Sequence, residues 1–234
     1  MSTAVTAPVW GSRDAILRSV WVATGESPEW IAQRTDALLS ELQAAFDVSY
    51  WRTSKDQRWE GSPEALADIV RGFVGTGIDG DPEPENGYVF SVAGAGPRVA
   101  PRIRVSAGSV STGGRLPSHH MTVELREMYT GAITAEDGDI VCAAVARTWG
   151  PAMFALADDP TRSAARRGNW KIGIGYRTWI SAEVGTVSRV ADGLTASELA
   201  GGTLISAPDN WPAERVVAAL TETLSANGLD EVPH

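Results

Sequence analysis

The chain is 234 residues long, 43% hydrophobic and 21% charged, with 29 acids against 20 bases and a formal net charge of -9. That is enough apolar material for one sizeable core. A single cysteine excludes an internal disulfide, and one Cys with three His is a poor stock for a transition-metal site. No apolar run approaches the roughly 18 residues a membrane helix needs, and MSTAVTAPVW lacks a basic cluster followed by an apolar stretch, so the expectation is a cytoplasmic protein with no membrane partner.

The charge is uneven. Residues 1–90 hold 14 acids and 7 bases, and residues 91–234 hold 15 and 13. An acidic front repels nucleic acid and attracts basic partners.

In chain order, DAILRSVWVA at 14–23 is almost continuously apolar or small apart from Arg18, the composition of a strand covered on both faces. Ser27-Pro28-Glu29 then reads as a helix start, with an N-cap, a proline at the first helical position and an acid at the positive end of the dipole. Ile31, Leu38, Leu42 and Ala45 follow at helical spacing. VSYWR at 48–52 has strand composition, and Ser62-Pro63-Glu64 opens a second helix carrying Leu66, Ile69, Val70 and Phe73.

GIDGDPEPENG at 77–87 has Ile78 as its one core-forming residue and carries Asp79, Asp81, Glu83 and Glu85 in alternation. The spacing resembles a calcium ladder but lacks the distal Glu and following helix, so an exposed acidic loop is expected rather than a metal site. YVFSVA, PRIRVS and HMTVELRE read as three strands of a meander with one wet face, where Arg102 and Arg104 are placed to pair with Glu124.

A helix is expected over 134–148, with Gly138 interrupting its first turn, then a strand at MFALA. DDPTRSAARRGN reads as a loop with a helical turn and is the most basic spot, with Arg162, Arg166 and Arg167. KIGIGYRTWIS at 171–181 alternates as a strand whose glycine row admits a neighbouring backbone or ring. A closing helix carries Ala213, Val216, Val217, Leu220 and Leu224, and residues 1–12 and 227–234 are expected to fray around a single domain of about 14–226. Trp21, Trp149 and Trp179 are assigned to the core, and Cys142 to a small buried hydrophobe.

No chemistry stands out. Neither GIGYR nor SVAGAGPRV is followed by the helix and third glycine that a dinucleotide site requires. His119 and His120 are adjacent, so on a strand they point to opposite faces and cannot share a metal; surface or loop positions are expected for both. No nucleophile elbow, zinc-protease helix or Walker loop is present. The sequence supplies no catalytic residue, cofactor motif or metal site, and the expectation is a binding protein, not an enzyme.

VWVATGESPEWIAQRTDALLSELQ, the following YWR, GIGYRTWIS, ELAGGTLISAPD and the closing amphipathic helix together resemble the bacterial immunity protein 52 family, over about residues 14–226. The resemblance implies an α+β protein that binds and neutralises a toxin encoded beside it, commonly a nuclease of restriction-endonuclease-like fold. The fold expected is α+β, a mixed or antiparallel sheet of six or more strands with about four helices. The contacts expected are Asp79, Asp81, Glu83 and Glu85, with Trp59 as an anchor nearby. The alternative is a small-molecule or enzymatic domain with a pocket lined by Gly173, Gly175, Tyr176 and Trp179.

Overall fold

A computed structural model describes residues 7–12, 15–77 and 79–234; Asp14 and Ile78, named above, lie outside them, as do residues 1–6. The fold is α+β, with nine strands in one sheet and five α-helices among the described residues. In chain order these are β1 (Ile16–Val20), α1 (Pro28–Phe46), β2 (Trp51–Thr53), α2 (Pro63–Arg71), β3 (Tyr88–Gly94), β4 (Val99–Ala107), β5 (His120–Glu127), α3 (Ala135–Trp149), β6 (Met153–Ala157), α4 (Asp159–Ala165), β7 (Arg177–Ser181), β8 (Thr195–Leu199), β9 (Gly202–Ser206) and α5 (Ala213–Ala226). The order across the sheet is β2-β3-β4-β5-β1-β6-β7-β9-β8, with every neighbouring pair antiparallel.

The helix starts form by the chemistry their sequences carry. Ser27 accepts from the Trp30 N–H and Ser62 from the Ala65 N–H, each with proline at the next position. Thr134 and Asp137 form a reciprocal capping box, so α3 begins cleanly despite Gly138. Gly138 is needed for another reason: a Cβ there would stand 2.7 Å from the ring of Trp10.

Strand parity sorts the sheet into two faces. Leu156, Leu17, Val123, Ile103 and Val92 stand in one cross-strand row, with Phe154, Ser19, Met121, Val105 and Phe90 in the next. This face is covered by helices. Arg34 of α1 donates to the Thr148 carbonyl, and Trp30 of α1 meets Trp149 of α3 edge-on. Trp21, Trp149 and Trp179 are buried as expected, as is Cys142, whose thiol is pushed up by burial.

Four expectations need correcting. Residues 7–12 do not fray: Trp10 is fully buried and its indole donates to Asp209 Oδ1 at 2.7 Å. The tail is docked as well, with Val232 buried, its N–H on the Trp170 carbonyl, and His234 stacked on Trp170 at 4.1 Å. The 171–181 strand is shorter than its alternation suggests, because Ile172 donates to Asp230 of the tail and only Arg177–Ser181 joins the sheet. The basic 158–169 stretch contains a true helix, α4, capped by Asp158.

The β8–β9 hairpin has no strand signal in its exposed half. Its turn, Ala200-Gly201, has positive φ at both positions (46° and 77°), the twist that a two-residue hairpin requires.

Candidate functional site

The acidic loop is a strap built by backbone pairing. Gly77 donates to Asp81, Glu83 to Gly75, and Gly75 to Gly87, while Val110 from the β4–β5 connection donates to the Glu85 carbonyl at 2.9 Å. Bridges at Thr76–Pro82 and Val74–Tyr88 continue the edge of the sheet. Asp79, Asp81 and Glu85 stand exposed on this frame. Glu83 is different: it is half-buried and accepts from the Asn86 amide at 2.5 Å.

Trp59 does not stand beside them as an anchor. It is 6% exposed, stacks on Phe90 at 5.8 Å and donates to Asp36 at 3.1 Å, so its ring belongs to the core under α1 and α2. The apolar side chains exposed near the strap are instead Val89 and Val110, on β3 and in the loop tied to Glu85.

His119 stands in the connection just before β5, as the loop expectation had it, but is fully buried; His120 opens β5 and is half-buried rather than on the surface. The His119 Nε2 lies 3.1 Å from the Ser109 carbonyl and 3.2 Å from Glu26. Burial opposes the charge of Glu26, yet hydrogen bonds with His119 and Trp21 outweigh it and hold the carboxyl at about 2. The other Glu26 oxygen ties down Trp21 at 2.7 Å, and Gly108 donates to the group at 3.0 Å. This network pins the loops at the strap end of the sheet.

The opposite sheet face, over β4, β5 and β1, carries the reverse charge. Arg102, Arg104, Arg126 and Arg18 share it with His120, Thr122 and one carboxylate, Glu124. Arg102 stands directly across from Glu124, but among the described residues none of these four arginines forms an ion pair or hydrogen bond. Burial holds the His120 imidazole below its ordinary value, and the Arg18 and Arg104 cations add to the effect. This patch was visible in part from the alternation of PRIRVS, but the contributions of Arg18 and Arg126 depend on strand order.

The Gly-aromatic stretch does not line one pocket. Tyr176 and Trp179 are buried, with the Tyr176 hydroxyl donating to the Trp211 carbonyl, and a Cβ on Gly175 would meet the Leu156 carbonyl at 2.1 Å. The glycine row does admit a backbone, as expected. The ring of Trp179 is received by Gly202 instead. Gly173 borders a slot over β1 and β6, while Trp179 borders a separate cleft with Trp21, Ser181 and Val232.

Arg177, two residues beyond Gly175, is a buried clamp. It donates to Asp139 of α3 at 2.6 Å, to Asp209 at 3.1 Å and to the carbonyls of Tyr176 and Ala207. Burial works against its charge, and the two carboxylates more than restore it. Among the described residues no group of three or more His, Cys, Asp or Glu is placed to hold a metal ion, and no helix is long and apolar enough to cross a membrane.

No family model matches this chain, and neither does any curated protein, so the likeness to immunity protein 52 rests on the stretches quoted above. Among solved structures it is similar to one described as Pseudomonas aeruginosa T6SS protein PA0821, at 9% identity and a TM-score of 0.49, over 92% of this chain and 73% of that one.

Proposed function

We propose that this chain is an immunity protein: it binds a cognate bacterial polymorphic toxin, the product of a neighbouring gene, and neutralises it by stoichiometric contact in the cytoplasm without turning over a substrate. The partner implied by the resemblance is a nuclease of restriction-endonuclease-like fold. Such an enzyme offers a basic groove to phosphates, and an inhibitor that fills or borders that groove needs fixed negative charge.

The observation that carries this reading is the strap. Asp79, Asp81 and Glu85 are exposed on a backbone held by cross-strap and inter-loop hydrogen bonds, so little ordering cost remains to be met on association. Val89 and Val110 supply apolar surface beside the carboxylates. Glu83 and Trp59 act by holding the strap and the helices beneath it, not by contact.

Mixing the purified protein with the adjacent gene's product tests the proposal. A one-to-one complex that abolishes the neighbour's toxicity is expected. No complex, together with a neighbour that is harmless when expressed alone, overturns it.

A further inference from the structure

Beyond the antidote reading, and independent of it, stands the slot at the margin of the uncovered sheet face. Residues 162–174 pass over β1 and β6 there and leave a cavity of about 90 Å³. Ile16, Val20, Ala155 and Ala165 give it apolar walls.

Four cations also border it, and their states differ. Arg167 is committed to the Ile172 carbonyl at 2.8 Å and to Asp230, Lys171 pairs with Asp230 and Glu231, and Arg162 donates to the Ala157 carbonyl at 2.6 Å. Arg18 has no hydrogen bond or ion pair among the described residues. Its direct cross-strand neighbours are Thr122 and Ala155, and burial already disfavours its charge. A half-buried guanidinium without an anion is costly, and a ligand that supplies one recovers that cost.

We propose that the slot binds a carboxylate carried on a short aliphatic stem, the Arg18 guanidinium taking the carboxylate and the apolar walls taking the stem. The planar fork of arginine matches the two oxygens of a carboxylate. With one uncommitted fork present, a monoanion fits better than a phosphate dianion. The cavity is smaller than the roughly 150 Å³ apolar cavity that admits benzene, which limits the stem to a few carbons. Two sources share this chemistry: a free short-chain acid and the C-terminal carboxylate of a protein ending in an aliphatic residue.

Titrating the ¹⁵N-labelled protein with butyrate, butyramide and acetyl-Ala-Val bearing a free C-terminus tests the site. Butyrate is expected to shift and saturate amides of 16–20, 153–157 and 162–174, while butyramide binds about tenfold more weakly or worse, since it lacks the charge-assisted bonds. Arg18→Gln should weaken butyrate by about the same factor. Ala155→Leu keeps the charge but fills the slot, and should abolish saturation; it decides the matter should the Arg18 variant fail to give a folded spectrum. Tighter binding of the dipeptide than of butyrate assigns the site to a protein terminus, and the reverse to a free acid. Equal binding of butyrate and butyramide, no effect of either variant, or shifts confined to other residues overturns the proposal. The toxin plays no part in this measurement, so its failure leaves the antidote reading standing.

Discussion

The strap at 77–87 and the open face over β4, β5 and β1 are both charged, exposed and adjacent in the fold, yet they arise differently. The strap's acids are neighbours in sequence, and backbone pairing only stiffens what composition had already gathered. The arginines of the open face come from three strands and meet because parity sends Arg18, Arg102, Arg104 and Arg126 to the same side. A net charge of -9 therefore conceals a basic surface. Local charge is set by register, and a whole-chain sum cannot report it.

Four experiments bear on this contrast. The largest effect is expected at the clamp that fixes the sheet both regions share: Arg177→Ala leaves the buried Tyr176 and Ala207 carbonyls without their donor and unties Asp139 and Asp209, and should cost about 3–5 kcal/mol in urea unfolding. Trp59→Ala should cost a similar or slightly smaller amount, about 3–4 kcal/mol, and Trp59→Phe should restore most stability with affinity for the neighbouring gene product unchanged. Loss of affinity in the stable Phe variant would return Trp59 to the interface and break the division between strap and support.

The third concerns pH. The Glu26 carboxyl is depressed from 4.5 to about 2 in the folded protein, so its contribution is full above pH 4.5 and is lost as pH falls toward 2. Glu26→Gln should therefore remove about 2–3 kcal/mol at pH 7 and flatten stability between pH 4.5 and 2. An unchanged acid slope in the variant would place the acid sensitivity elsewhere.

The smallest effects on stability, within about 0.5 kcal/mol, belong to the surface itself. Changing Asp79, Asp81 and Glu85 to Lys should weaken toxin binding more at low salt than at high salt, whereas Arg102→Glu with Arg104→Glu should not weaken it. Equal affinity after the strap reversal would exclude the strap as the contact, and a loss on the arginine reversal would move the interface to the open face.

Much of the framework was legible beforehand for local reasons. Ser-Pro-Glu starts α1 and α2 because the capping bonds lie within a few residues, and β4 and β5 alternate because each has one wet face. The 171–181 strand was misread because alternation cannot show that Ile172 will pair with the tail rather than the sheet. Trp59 was misplaced for a related reason: a tryptophan between polar residues carries no signal of the Phe90 ring that will cover it. Arg18 interrupts an apolar strand, and that local exception was the one sign of the slot.

By itself the sequence determined the helix caps, the strand alternation, the clustered acids of the strap and the burial of Cys142, all consequences of interactions a few residues long or of hydrophobicity alone. Tertiary structure decided the order of the nine strands, the docking of both described ends of the chain, the clamp at Arg177 and the collection of four arginines on one face. Those features bring together residues tens to nearly two hundred positions apart, and such contacts are fixed by how the whole core closes rather than by any local preference.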